Sequence, residues 1–228
     1  MRNWIEKRSN TFMIKKILLV ILLISGISCK KNIKSETEVY NNDFDSADLT
    51  NIIGGTLELY NGTYVLGRYN NQSFELTIKD LPKHELVEIS FDLYIHDSWD
   101  GNLSGDSGRN GPDIWEFIVD GYSYINTTFS NSDCGTDTFC SPQSYPANYL
   151  NSNNNPKTGA ANKFLPGVCT RAGAVGSTTL YKISKVIAHS AGSVSIRCLD
   201  RLIQTNTQSP KCDESWSIDN LKVKAINL

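Results

Sequence analysis

Alternation of apolar and polar residues defines the clearest elements of the chain. From Val87 to His96, every second residue is apolar and the residues between are mostly polar. The same period of two runs through "SFELTI", which begins at Ser73. Such alternation is typical of a β-strand that has one face on a hydrophobic core. "DLPKHE" between the two runs contains Pro82 and indicates a turn, so we expect neighbouring antiparallel strands.

Further strand-like segments follow, and none shows the period of a helix. They read "IWEFIVDG", "YSYINTTF", "TLYKISKVIA", "GSVSIRCL" and "SWSIDNLKVKAI". The pattern predicts an all-β protein, an antiparallel β-sandwich of the jelly-roll type. A long segment around 131–176 interrupts it and is rich in Cys, Pro and Asn. Such a length is unusual for a loop in a compact domain, and its cysteines favour a segment held by disulfides.

The last strand carries a change of parity. Its apolar residues fall at even positions up to Ile218 and at odd positions from Leu221 onward. Because side chains in a strand alternate strictly, the change predicts a β-bulge at Asp219 and Asn220. The alternative is a regular strand whose two faces are both partly covered.

The amino terminus has the organisation of a secretory signal. Lys15 and Lys16 precede the apolar run Ile17–Ile27, and a small residue precedes Cys29. The run is too short to span a bilayer, which takes roughly 20 apolar residues. "MIKKILLVILLISGISCKKN" resembles a bacterial lipoprotein signal of the kind found in flavobacteria and their relatives. It departs from the usual pattern at Gly26, where an aliphatic residue is expected.

The resemblance implies cleavage after residue 28 and attachment of a lipid to Cys29. The protein would then be anchored in the outer membrane of the bacterial cell envelope, on the periplasmic face or the cell surface. The alternative is plain secretion with Cys29 as a spare thiol. We interpret Met13 as the start of translation, residues 29–42 as a flexible polar tether, and residues 43–228 as one domain.

Charge and cysteine content narrow the possibilities further. The formal net charge is −2, and no basic patch with interleaved aromatic residues is present, which argues against a nucleic-acid partner. We expect a monomer.

Beyond Cys29 the chain has five cysteines, so one thiol is left over if two disulfides form. The short loop between them favours a disulfide between Cys134 and Cys140. Cys198 and Cys212 flank the next such loop and are the second candidate pair, although sequence alone does not fix connectivity.

The loop after Val87–His96 is rich in oxygen ligands. Asp97 and Asp113 stand at its two ends, and each continues the row of side chains that faces the core. Between them the glycines allow tight wrapping, and Arg109 is the one basic residue. Carboxylates at the mouth of an apolar core need a partner or a cation, and hard oxygen ligands suit calcium. The candidate ligands are Asp97, Asp100, Asn102, Asp106 and Asp113. The alternative is a solvated turn, since the spacing is not that of an EF-hand.

The domain also resembles a family of secreted domains of unknown function. The resemblance lies in "LGRYNNQSFELTIKDLPKHELVEISFDLYIHDSWDGN", "GPDIWEFIVDG" and "SWSIDNLKV". The ending is similar to that of MAM and reelin-type jelly rolls, whose last strand carries an Asp after W-x-I. In that family an acidic residue near the first strand and this Asp hold a structural calcium. The resemblance therefore implies metal ligation by Asp45 and Asp219.

Function is less constrained than fold. The best-supported hypothesis is a non-catalytic binding or adhesion module that takes a glycan or a surface protein. Aromatic residues that could stack on a sugar are Trp99, Trp115, Tyr122, Tyr124 and Tyr145, and core packing is the alternative for each. A second hypothesis is a glycoside hydrolase-like jelly roll that uses the loop carboxylates Asp97 and Asp100. A third is a purely structural envelope protein.

Overall fold

The computed structural model describes residues 33–103, 111–135, 140–204 and 207–228. The signal segment, Cys29, Asp106 and Arg109 lie outside these residues. Lys34–Asn227 forms one compact unit. None of the helices in the described ranges has the length and apolarity to cross a membrane. The strands are β1 Ser35–Asn42, β2 Ile52–Ile53, β3 Leu57–Tyr60, β4 Thr63–Tyr69, β5 Ser73–Lys79, β6 Leu86–Asp97, β7 Ile114–Val119, β8 Tyr122–Thr128, β9 Asn162–Pro166, β10 Val175–Ala188, β11 Ser193–Arg201 and β12 Glu214–Asn227.

The strands form two antiparallel sheets that pack into a sandwich. One sheet has seven strands in the order β3-β4-β12-β6-β10-β9, with β1 beside β12. The other has five strands in the order β2-β5-β11-β7-β8. Chain neighbours such as β5 and β6 lie in different sheets, so they are not the adjacent pair that the sequence suggested. The all-β, antiparallel jelly-roll prediction is confirmed.

Aromatic side chains from both sheets fill the core. The predicted apolar row of β6 is buried, and its Phe91 ring lies 6.2 Å from Trp115 and 5.6 Å from Phe117 on β7. Trp216 of β12 meets Trp115 edge-on at 6.0 Å. Burying large aromatic rings of this kind dominates the stability of such a core. Trp115 is therefore a core residue and not a sugar platform.

The predicted bulge in the last strand is present. The register of β12 against β6 shifts between Asp219 and Lys222. Asn220 adopts a positive φ of 53°, and its amide donates to Asp92 Oδ2 at 3.1 Å. The irregularity inserts one extra residue into β12, which is why the apolar parity changes there.

The tether is shorter than expected, because Ser35–Asn42 is a strand. β1 pairs with β12 from Ser35 opposite Asn227 to Asn42 opposite Leu221. The segment is mostly polar because an edge strand is held largely by backbone hydrogen bonds and needs few apolar side chains. Lys224 Nζ lies 3.6 Å from Glu36, which adds an exposed ion pair along this edge.

His96 is buried, although alternation along β6 placed it on the solvent face. The side chain does lie opposite the core row, but Tyr60 covers it, with ring centroids 4.7 Å apart. Tyr60 in turn donates to the Pro166 carbonyl at 2.7 Å. The segment around β9 therefore adds a second cover over this end of the seven-stranded sheet.

Acid should destabilise the protein through His96. Burial, followed by the nearby Arg68 charge, lowers the pKa of His96 to about 3. Its two nitrogens lie 3.0 and 2.8 Å from the hydroxyl oxygens of Thr178 and Ser217. The unfolded chain binds this proton near the ordinary pKa of 6.5, so the contribution is complete above pH 6.5 and is lost as the pH falls toward 3.

We expect wild type to lose about 2 to 3 kcal/mol relative to His96→Gln between neutral pH and about pH 4.5. Urea unfolding of both proteins across this range gives the difference in their free energies of unfolding. The comparison with the variant removes the pH dependence that the carboxylates contribute equally to both proteins. If the free energy of unfolding depended on pH in the same way in both proteins, His96 would not be held neutral in the folded state.

Candidate functional site

The stretch Asp97–Asn102 closes one end of the sandwich. Trp99 at its centre is 0% exposed, and its indole N–H donates to the Ser215 carbonyl at 2.9 Å. Its ring also meets Phe129 edge-on at 6.3 Å. Of the two alternatives for Trp99, core packing is therefore the correct one, and this ring offers no surface to a sugar.

Asp113 holds this loop from the opposite strand. The Asp100 N–H donates to Asp113 Oδ2, and the Asp113 N–H donates to the Gly101 carbonyl at 3.0 Å. Asp113 is fully buried, whereas the Asp100 side chain is half-buried at the surface. Burial, followed by the Asp213 charge, raises the pKa of Asp100.

Asp97 turns away from that contact. Its φ of 64° breaks the alternation of β6, and its Oδ1 accepts the Val168 N–H at 3.1 Å. Burial raises the pKa of Asp97 to about 6, and the Arg171 and Arg68 charges oppose the rise. Counting parity through Asp97 therefore fails, because a residue with left-handed backbone no longer continues the row.

Asn102 has a structural role. Its amide nitrogen donates to the Ser152 carbonyl and to Asn153 Oδ1, both at 2.8 Å. Its amide oxygen accepts the hydroxyls of Thr128 and Ser144. Both ends of the side chain are thus engaged in joining the opening loop to residues 144–153, which leaves the oxygen poorly placed to ligate a cation.

The two residues implied by the MAM and reelin resemblance lie elsewhere. Asp45 Oδ1 accepts the Thr63 hydroxyl at 2.7 Å and the Tyr64 N–H at 2.9 Å. Burial, followed by the charges of Asp92, Asp45 and Asp43, raises the pKa of Asp219 to about 6. Within the described ranges, no three His, Cys, Asp or Glu side chains are grouped so that they could share a metal ion. Calcium at Asp45 and Asp219 therefore stays a prediction.

The disulfides agree with the sequence in one case and not in the other. Cys134 is bonded to Cys140, as predicted. Cys212 is bonded to Cys169 and not to Cys198, which is a buried free thiol in β11. The pairing of Cys198 with Cys212 was wrong because Cys198 points into the core, a position that loop length does not reveal.

A cleft of about 750 Å³ opens beside this end of the sandwich. It lies between the opening loop and the segment that the sequence left irregular, now seen to contain β9 and a 3₁₀ turn at Cys169–Arg171. Its polar lining includes Ser98, Asp100, Ser132, Lys157, Lys163 and Arg171. Asp100 lines the cleft, whereas Asp97 is not among the lining residues.

Phe164 stands at the cleft with 74% of its surface exposed. Sequence reasoning missed it, because it lies in the long segment for which no strand was predicted. Among the predicted aromatic residues, Tyr122 is also exposed but lies outside the cleft lining, and Tyr145 packs on Phe129 at 4.9 Å. The alternation "NKFLP" is too short to identify as an edge strand.

Asn131 fixes the floor of the cleft. Its amide nitrogen donates to the carbonyls of Ile95 and Asp97 at 2.9 and 3.0 Å, and to that of Ser177 at 3.3 Å. Its amide oxygen accepts the Thr179 hydroxyl at 2.5 Å. One buried side chain thus ties the cleft segment to both β6 and β10.

No family model and no curated protein sequence matches the chain. Solved structures match it at low similarity. A family 35 carbohydrate-binding module from Clostridium thermocellum is 13% identical over 83% of this chain and 97% of its own, with a TM-score of 0.36. A family 6 module of a laminarinase from Zobellia galactanivorans is 9% identical over 84% and 99%, with a TM-score of 0.35. The K3 adhesin domain of Lys-gingipain from Porphyromonas gingivalis is 12% identical over 83% and 100%, with a TM-score of 0.38.

Proposed function

We propose that this chain is a non-catalytic, lipid-anchored protein of the bacterial cell envelope whose jelly-roll domain binds a glycan in the cleft. The observation that supports it is the cleft itself, a concave site of about 750 Å³ with exposed Phe164 beside many hydrogen-bonding groups. Binding sites are typically concave surfaces with a few placed polar groups.

The lining of the cleft suits a sugar. Hydroxyl groups both donate and accept hydrogen bonds, and the cleft offers donors from Lys163 and Arg171 and acceptors from Asp100. An aromatic face beside such groups provides an apolar surface for a sugar ring. Phe164 supplies that face from the edge strand β9.

The cleft is also held in shape before any ligand arrives. Cys134 lines it and is bonded to Cys140, while the bond between Cys169 and Cys212 fixes the 3₁₀ turn that carries Arg171. A preorganised site pays less entropy on binding. The disulfides of the long segment therefore support a binding role.

A role without catalysis agrees with the position of the loop carboxylates. The hydrolase hypothesis needs Asp97 and Asp100 to act on one substrate. Asp100 lines the cleft, whereas Asp97 accepts a hydrogen bond from Val168 beneath the 3₁₀ turn.

Replacing Phe164 should weaken glycan binding. We expect Phe164→Ala to raise Kd at least tenfold, since losing a stacking contact worth about 1.4 kcal/mol has that effect. The measurement is a glycan array of plant, algal and host sugars, followed by calorimetric titration of the best ligand. Tyr122→Ala is the matched control, because it removes an exposed aromatic ring outside the cleft and should leave Kd unchanged.

If no sugar on the array bound and a surface protein were captured, the ligand would be a protein and not a glycan. An equal loss of affinity in Phe164→Ala and Tyr122→Ala would place the ligand outside the cleft. Release of reducing sugar by wild type, abolished in Asp100→Asn, would contradict the non-catalytic role.

Lipidation predicts a separate result. Cys29→Ser should abolish incorporation of labelled palmitate and move the protein from the membrane pellet to the soluble fraction, because the lipid is its anchor. Cys198→Ala is the control, since it removes a buried thiol that no lipid can reach. An unlabelled wild type that is released in soluble form would favour plain secretion.

A further inference from the structure

Two buried carboxyl groups meet where the sheets come together. Asp113 immediately precedes β7 in the five-stranded sheet, and Glu214 is the first residue of β12 in the seven-stranded sheet. Both residues are 0% exposed, and their side chains lie within hydrogen-bonding reach of each other. This contact therefore joins the two layers of the sandwich next to Asp100.

Most oxygens of this pair lack a donor. Asp113 Oδ2 accepts the Asp100 N–H, but Asp113 Oδ1 and both Glu214 oxygens have no partner with hydrogen-bond geometry. The Gln204 side chain lies close enough to Glu214 to oppose the rise that burial causes in its pKa, without completing such a bond. A buried carboxylate without donors costs several kcal/mol of desolvation, so something should satisfy these atoms.

Two other buried carboxylates, Asp200 and Asp92, have a donor for each oxygen. Asp200 accepts the N–H groups of Asn71 and Gln72 at 2.5 and 3.1 Å. Asp92 accepts Lys182 at 2.8 Å and Asn220 at 3.1 Å. Glu214 differs from them in having no such donor on either oxygen, which leaves both oxygens available to a cation.

The charged groups around Asp113 and Glu214 favour the binding of a positive charge. The charged side chains that act most strongly on Glu214 are all carboxylates, those of Asp113, Asp100 and Asp213. Burial, reinforced by this repulsion, raises the pKa of both Asp113 and Glu214. One proton shared by the pair would still leave a net negative charge there, with Asp100 and Asp213 beside it.

We propose that a calcium ion binds between Asp113 and Glu214, with water completing its oxygen ligands. Hard carboxylate and amide oxygens are the ligands that calcium prefers. Of the metal ligands named from sequence, this site keeps Asp113 and adds Glu214. The ion would link β7 to β12 and hold the loop that Asp113 anchors through Asp100.

The test is thermal unfolding of the full chain with calcium chloride or chelator at fixed neutral pH. We expect calcium at 100-fold above its Kd to raise Tm by roughly 5 °C or more. Glu214→Gln keeps the size of the side chain and removes its charge. In this variant the calcium shift should disappear, while Tm in chelator should equal or exceed that of wild type, because an uncompensated buried charge is gone. Titration calorimetry should find one calcium ion in wild type that Glu214→Gln does not bind.

Two control variants distinguish this site from others. Asp200→Asn removes a buried carboxylate that already has donors, so its calcium shift should persist even if Tm falls. Asp219→Asn tests the position implied by the MAM and reelin resemblance and should also retain the shift. A shift lost in Asp219→Asn and kept in Glu214→Gln would overturn the proposal. An identical Tm of wild type with calcium and with chelator would overturn it as well and leave a proton shared between the carboxyls.

Discussion

The backbone hydrogen bonds between β6 and β12 position most of the features of this molecule. Their register runs from Glu214 opposite Asp97 to Ile226 opposite Leu86, interrupted at the bulge. It brings Trp216 beside Ile95, so that the indole reaches Trp115 of the other sheet. The same pairing sets Glu214 at the end of the sandwich, where Asp113 arrives from β7. A single pair of strands therefore determines both the centre of the core and the place where buried charge collects.

That end of the sandwich combines two opposed demands. The core must exclude water, so Trp99 and the covering segment close it, and the carboxyl groups near the closure lose their hydration. Asp97 regains a donor from Val168, and Asp113 regains one from Asp100. The cleft lies just outside this closure, and Asp100 belongs to both regions, since its backbone binds Asp113 while its side chain lines the cleft. A ligand in the cleft and a cation behind it would therefore act on the same loop.

The predictable parts of the fold are those whose signal lies in neighbouring residues. The alternation in β6 and the parity change at Asp219 could be recognised in the sequence, because a strand with one buried face has an apolar residue at every second position. β1 and β9 were among the strands missed, since edge strands such as Ser35–Asn42 are held by backbone bonds and carry little apolar pattern. His96 was misplaced because its cover comes from Tyr60, which is distant in sequence and belongs to another strand.

The sequence by itself determined the all-β class and the apolar rows of the core, and it favoured the bulge and the disulfide between Cys134 and Cys140. These depend on local alternation, residue size and short loops. Only the tertiary structure decided that Cys169 pairs with Cys212, that Asp97 turns away from Asp113, that Phe164 stands at a cleft, and that Glu214 meets Asp113. The physical reason is that each of these depends on contacts between strands far apart in the chain, whose register and backbone angles no local pattern records.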